Sequence, residues 1–380
     1  MKELALVDKL HVILQHLKTV FVSKDDIIDL MGICLASREN LFLLGPPGTA
    51  KSALVRGLAN QLDGKTFEYL LTRFTEPNEL FGPFDIRKLR EGELLTNTEG
   101  MLPEASFIFL DELLNANSAI LNSLLMVLNE RIFRRGKETR PLPALMIVGA
   151  SNHLPEEEAL QALYDRFLLR ATCENTDPAH LQEVLLAGWK LEQPIASHAG
   201  ISTEEVQHLQ QLTHQVNLDH IRPIYIALIQ QLRNAGLKLS DRRAVKLQRV
   251  IAASALLCKR MVAIPSDMWV LRYIWDTTEQ REIISGIVNA AITTDNEITA
   301  QHPRARINSV PDADELYAEL TQMLFRWDNP ESSEADKAAI KDRLRYLNGR
   351  CEWIANPDQR QFVMQPVDQL WKKILQENER

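Results

Sequence analysis

The chain has 380 residues, 45% of them hydrophobic and 25% charged, with only 15 Gly and 17 Pro. That is the composition of a globular protein of two or three domains, and it excludes collagen-like and low-complexity classes. Lys plus Arg number 43 against 51 Asp plus Glu, a net charge of −8. Such a chain is a poor general ligand for phosphate backbones, although a local basic patch is compatible with it.

The segment from Met1 to Leu10 mixes both charge signs with apolar residues and reads as an amphipathic helix, not a signal peptide. Leu4, Val7, Leu10 and Leu14 keep helical spacing, as do Ile27, Ile28, Met31 and Leu35. Short apolar runs follow at Leu41–Leu44, Phe67–Leu71, Phe107–Leu110, Leu145–Val148 and Phe167–Leu169. Helical patterns such as Ser52–Leu62 and Ala119–Leu128 lie between them. This alternation predicts an α/β fold with a mostly parallel sheet covered on both faces.

Beyond about Asp177 the strand signal stops. Helices are expected at His180–Leu191, Thr203–Val216, Pro223–Ala235, Asp241–Lys259 and Ser266–Asn289. A connection marked by Pro303 and Pro311 leads to helices near Asp312–Trp327, Ser332–Trp353 and Pro366–Gln376. In the charged stretch Glu331–Arg345, Ile340 and Leu344 should face inward. The expected domains are therefore 1–176 (αβα), 177–300 (all-α) and 301–380 (helical extension).

No uncharged apolar run approaches the roughly 18 residues of a spanning helix. Cys34, Cys173, Cys258 and Cys351 are scattered without a CxxC pair and read as buried free thiols of a reducing, cytoplasmic compartment. The nine His show no metal-ligand spacing, and the six Trp in helical segments read as packing anchors.

Gly45-Pro46-Pro47-Gly48-Thr49-Ala50-Lys51-Ser52 follows the first strand and precedes a helix, the context a phosphate-binding loop requires. Backbone N–H groups of such a turn converge on phosphate oxygens, and the helix N-terminus adds partial positive charge. Lys51 would reach the β- and γ-phosphates and Ser52 would bind Mg²⁺. Ala50 stands where the strict pattern has glycine, and alanine forbids the freest backbone angles. The strand Ser106–Leu110 ends in Asp111-Glu112. Asp111 would hold Mg²⁺ through water and Glu112 would orient the attacking water. Leu145–Ser151 leads into Asn152, suited to positioning that water. Arg166, ahead of the last strand, suits a γ-phosphate, or alternatively pairs on the surface with Asp165.

In this order and spacing these features resemble an AAA+ ATPase, and more closely the MoxR family and its RavA-like subgroup. The residues carrying the resemblance are Phe42–Ser52, Thr72–Pro83, Leu102–Ala105, Phe109–Glu112, Leu128–Arg131, Ala150–Asn152 and Ala162–Phe167. Alanine in the P-loop is itself seen in this subgroup. The resemblance implies an αβα nucleotide domain and an all-α lid assembling as a ring, usually a hexamer, with ATP or ADP and Mg²⁺ between neighbours. It implies that Asn152 is the sensor-1 residue and Arg166 an arginine finger acting on the next subunit's nucleotide. Arg242, or in the adjacent register Arg243, would be sensor 2. It further implies two insertions facing the ring's channel or axial surface. One spans residues 82–103 with turns at Gly92 and Gly100; the other is a hairpin at Ile132–Pro143 around Gly136. A partner with a von Willebrand factor A domain, and client proteins that are remodelled or matured, complete what the resemblance implies. No strand-rich tail is legible after residue 300, so functions tied to an inserted β-rich domain are not expected.

Three other functions compete. A nucleic-acid motor is favoured by the basic hairpin residues Arg134, Arg135 and Lys137 and opposed by the net charge. A small-molecule kinase is opposed by the large helical domain and Asn152. A non-enzymatic scaffold is opposed by the filled hydrolytic positions.

Overall fold

The five apolar runs form one parallel sheet in the computed structural model, which describes residues 2–91, 93–135, 138–176, 178–191, 200–292, 302–305, 313–328, 334–351 and 357–378. Gly92, Gly136, Lys137, Pro311 and Trp353 lie outside the described residues. The strands are β1 (Leu41–Leu44), β2 (Thr66–Leu70), β3 (Phe107–Asp111), β4 (Met146–Ser151) and β5 (Leu169–Thr172). Their order is β2-β3-β4-β1-β5. β1 and β4 are buried along their whole length, which is why they read as unbroken apolar runs; edge strand β2 alternates.

Helices α1 (Lys2–Val20), α2 (Asp25–Ser37), α3 (Lys51–Ala59), α4 (Ser118–Glu130) and α5 (Glu158–Tyr164) surround the sheet. Val7, Leu10 and Leu14 of α1 and Ile27, Ile28, Met31 and Leu35 of α2 are all buried in the core. Then come α6 (Leu181–Leu191), α7 (Thr203–Thr213), α8 (Arg222–Asn234), α9 (Asp241–Leu257) and α10 (Gln280–Ile292). Helices α11 (Ala313–Trp327), α12 (Glu334–Cys351) and α13 (Pro357–Asn378) build a separate small core around Leu320, Leu344, Leu347, Val367 and Leu370. Ile340 and Leu344 face into it.

The structure departs from the sequence reading in several places. The last strand begins at Leu169 and not Phe167, because its register with β1 starts at Leu41↔Leu169. It also carries Arg170, fully buried, whose charge had cut the apolar run short. Strand structure continues past residue 177: Ile201–Ser202 pairs in parallel with Leu62–Asp63 and feeds α7 through a Ser202/Glu205 capping box. Gln210 and Thr213 of α7 donate to Leu35 O and Ala36 O, tying it to the end of α2 (each 2.9 Å).

The helix expected over Ser266–Asn289 divides into a 3₁₀ stretch, Pro265–Tyr273, and α10. The carbonyls between them are taken by arginines: Ile274 O accepts from Arg243 Nη2 and Trp275 O from Arg170 Nη1 (both 2.6 Å), so they cannot serve a helical ladder. Helix α13 starts well before Pro366, which sits in its interior. Val363, Val367 and Leu370 on both sides are buried in the small core, and that packing outweighs the one lost hydrogen bond. Trp269, Trp275 and Trp327 are buried anchors, but Trp189 is 72% exposed. Among the described residues no helix is long and apolar enough to cross a membrane.

His302 stacks on Trp269 (centroids 4.7 Å apart), and burial pushes its imidazole down to about 4 from 6.5. A lowered histidine value means that the stabilising neutral form is fully present above about 6.5 and is lost as the pH falls toward 4. Urea denaturation at pH 7 and pH 4.5 should therefore show His302→Phe losing less stability on acidification than the parent. The expected difference is on the order of 2–3 kcal/mol.

Candidate functional site

The loop between β1 and α3 is held by contacts along its length. Gly45 N donates to Ser151 O (3.0 Å), Cys173 N to Leu44 O (2.7 Å), and Cys173 Sγ to Thr49 O (3.1 Å). Thr49 Oγ1 closes the turn on Pro46 O (2.9 Å). A Cβ at Gly45 would stand 2.1 Å from Cys173 O, so the close approach of the loop to the end of β5 requires glycine. Gly48 has φ +85° with open space around it. Ala50 adopts φ 66° and ψ 20° at the start of α3. It holds the left-handed turn that glycine would hold freely, at a cost of about 1–2 kcal/mol.

Lys51 is buried along the inside of the loop, its Nζ on Gly45 O (2.6 Å) and Pro46 O (2.9 Å). The Ser52 hydroxyl donates to Asp111 Oδ2 at 3.0 Å. Two segments 59 residues apart thus place two hard oxygen ligands in contact, the donor set that suits Mg²⁺. Glu112 follows in a left-handed conformation, φ 49°, and its buried Oε2 has no hydrogen-bond partner. An orphan carboxylate oxygen on a strained residue beside such a pair marks a place where a further polar group fits. Asn152 is exposed one residue past β4, next to the Gly45–Ser151 closure.

Beside Gly48, Thr49 and Ala50 opens a cavity of ≈ 290 Å³, also lined by Val20, Phe21, Glu174 and Val184. Its mainly apolar walls against a polar loop suit a flat heterocycle continuing into phosphates.

Arg166, Arg242 and Arg243 are not brought to this cradle. Arg166 is half-buried ahead of β5, with its Nε buried and unpartnered. Its carbonyl accepts from Asn40 Nδ2 (2.9 Å), and Asn40 immediately precedes β1, at the sheet edge opposite the loop. Arg242 Nη2 reaches Asn129 Oδ1 (2.9 Å), at the end of α4 on that same far edge. Arg243 is buried, with Nη1 on Asp276 Oδ1 (2.9 Å), and Arg170 pairs with the same carboxylate. Burial disfavours the charged Asp276 carboxylate, but these two guanidiniums outweigh it and hold its pKa below the usual range. This pairing ties Arg243 into the helical domain.

Arg135 Nη1 donates to Gly82 O and its Nη2 to Asn78 Oδ1 (2.6 Å), while the guanidinium lies 4.3 Å from the centre of the Phe84 ring. The hairpin Ile132–Pro141 is therefore bound to the 82–103 insertion, which also bridges Phe84 to Thr96, and Arg135 is not a free cation.

The sequence reading missed Asn40 and Arg170, and assigned no role to Arg131. A polar residue ahead of a buried strand and a charge inside one were the signals available.

A parallel sheet of this order, with a glycine-rich turn leading from β1 into α3, defines an α/β AAA+ fold. A family described as "MoxR domain in the MoxR-vWA-beta-propeller ternary systems" matches residues 8–211, and an AAA lid domain matches residues 220–288. The chain belongs to the MoxR family of AAA+ ATPases. It is 35% identical over 288 residues to the uncharacterized protein MJ0079 of Methanocaldococcus jannaschii, covering 74% of this chain and 73% of that one. It is 28% identical to the chaperone MoxR1 of Mycobacterium tuberculosis over 45% of each chain. The fold matches the crystal structure of a presumed ATPase from Cytophaga hutchinsonii (TM-score 0.62, 21% identity, 76% of this chain and 95% of that one).

The loop geometry predicts different costs for two similar changes. Gly45→Ala must displace a backbone carbonyl and should destabilise by about 3 kcal/mol or more, whereas Gly48→Ala should cost about 1–2 kcal/mol. Denaturant midpoints of the two variants measure the difference.

Proposed function

We propose that this chain is a Mg²⁺-dependent ATPase of the RavA-like kind that works as a hexameric ring and uses hydrolysis to remodel or mature client proteins. The observation that carries the reading is the Ser52–Asp111 contact at 3.0 Å with Glu112 beside it. ATP lies with its base in the cavity beside Gly48–Ala50 and its phosphates against the N–H groups of residues 45–52. Lys51 exchanges its bonds to Gly45 O and Pro46 O for phosphate oxygens. Ser52 and Asp111 would hold Mg²⁺, which would supply charge neutralisation for the phosphates. The Glu112 carboxylate accepts a hydrogen bond from the attacking water and aligns it on the γ-phosphorus, and Asn152 fixes the water's other side.

Arg166 and Arg242 serve the neighbouring subunit's nucleotide, since both stand at the edge opposite their own loop. Hydrolysis then depends on assembly. The organisation follows the division 1–176, 177–300 and 301–380. The family description names MoxR-vWA systems, which supports a partner carrying a von Willebrand factor A domain, and the relationship to MoxR1 supports a chaperone-like role. A cytoplasmic setting fits the free thiols. Binding of nucleic acid is not part of this reading, because the basic hairpin spends Arg135 on the insertion.

Lys51→Ala should weaken ATP binding. Glu112→Gln should bind ATP yet turn over about 10²-fold more slowly or worse, and Arg166→Ala should lose about 10³-fold in turnover while keeping nucleotide affinity. A coupled phosphate-release assay with a fluorescent ATP analogue separates the two quantities. Normal turnover by Glu112→Gln would refute the assignment.

A further inference from the structure

Asn40 is 1% exposed and sits between the end of α4 and the loop carrying Arg166. Its Nδ2 donates to Arg166 O (2.9 Å) and to Leu128 O (3.2 Å), and its Oδ1 accepts from Arg131 Nη2 (2.6 Å). One buried amide therefore uses both its donors and its acceptor on groups from two other segments. Arg131 is itself fixed: it ends α4 in a left-handed conformation, φ 54°, and its Nη2 also lies 3.4 Å from Arg38 O. Its Nη1 is buried without a partner, so Asn40 Oδ1 is its principal anchor.

The turn carrying Arg166 is held locally by Phe167 N donating to Tyr164 O (3.0 Å) and by the buried Phe167 ring. Arg166 N donates to Leu163 O (3.1 Å) at the end of α5, and the Asn40 bond is the one that reaches its carbonyl from another element. The side chain leaves this anchored backbone with an unpartnered Nε, so the direction it takes is set by where the backbone is held. Asn40 also adjoins β1, whose far end is Leu44 and Gly45 of the phosphate-binding loop. A fully buried four-residue strand is a stiff link between the two ends.

We propose that Asn40 is a positioning residue for the trans-acting Arg166, clamped by Arg131, and that it ties the arginine a subunit offers its neighbour to the strand bearing that subunit's own phosphate loop. This rests on the reading of Arg166 as acting on the next subunit. Loss of the amide leaves the Arg166 and Leu128 carbonyls and the Arg131 guanidinium unsatisfied. The guanidinium of Arg166 is then displaced from a neighbour's γ-phosphate, and a displacement of about 1 Å can cost about 100-fold.

The test uses mixed rings of the full-length protein, co-expressed with two affinity tags and purified through both. One parent carries Glu112→Gln, so it donates Arg166 but cannot hydrolyse. The other carries Arg166→Ala, so it hydrolyses only when a neighbour supplies the arginine. The mixture should recover ATPase activity that neither parent has alone. Asn40→Ala is then added to one parent at a time. On the Glu112→Gln parent it should lower the recovered activity by about 10- to 100-fold. On the Arg166→Ala parent, whose arginine is already gone, it should leave that activity within about twofold, which also shows that the variant folds, assembles and binds ATP. Asn40→Asp, which keeps the acceptor for Arg131 but removes both donors, should give the same one-sided loss.

Equal loss on both parents, or loss confined to the Arg166→Ala parent, overturns the proposal, because Asn40 then serves the fold or its own phosphate loop. Failure of the unmodified pair to recover activity overturns the trans reading of Arg166 and this proposal with it.

Discussion

The hydrogen bond from Ser52 to Asp111 is the contact on which the site depends. Strands β1 and β3 are not neighbours; β4 lies between them. The serine reaches across because α3 begins immediately at Lys51 and lies over the sheet. The intervening strand stays out of the way because its C-terminal half is Gly149, Ala150 and Ser151. A Cβ on Gly149 would meet Leu113 Cδ2 and the Phe167 ring at 2.8 Å, so even this spacing is set by a missing methyl group. Two oxygen ligands meet only when strand order, loop length and these small residues agree.

The sheet then has two chemically different edges. The C-terminal edge carries the loop, the acids and the cavity. The N-terminal edge carries Arg131, Arg166 and Arg242, joined through Asn40, Leu128 and Asn129. Glu39 lies there too; burial raises its carboxyl, partly offset by Lys246 and Arg249. Buried Arg170 secures the helical domain from inside the sheet, stacking on Tyr164 at 4.0 Å and pairing with Asp276, which Arg243 also holds. Such a network is costly to break once buried, so it fixes the helical domain that carries Arg242 against the sheet. On the proposed function, such a subunit would hold a triphosphate at one edge and offer cations from the other.

Much of the fold was legible in the sequence because burial on both faces leaves an unbroken apolar run. Strands β1, β3, β4 and β5 are such runs or overlap them, whereas edge strand β2 overlaps the segment Phe67–Leu71 but alternates, and the glycine-rich loop was legible from its glycines and flanks. What escaped was set by long-range polar contacts. The break between the 3₁₀ stretch and α10 follows from two arginine side chains that take carbonyls 31 and 105 residues away. The two-residue pairing of Leu62–Asp63 with Ile201–Ser202 is too short to have a period. At the candidate site, residue type singled out Lys51, Ser52, Asp111 and Glu112 as candidates, and the structure brings Ser52 and Asp111 into contact. It could not choose between Arg242 and Arg243, which differ only in which face of α9 they occupy. Asn40 has no motif, and its place is visible only once three segments are folded together.

The most direct measurement is a double-mutant cycle on Mg²⁺-ATP affinity with Ser52→Ala, Asp111→Asn and the pair, repeated in EDTA. If both oxygens hold one ion, each single change weakens binding in Mg²⁺ and the second adds little to the first, and in EDTA the differences among the four proteins largely vanish. Losses that simply add, or that persist undiminished without the metal, would contradict the account.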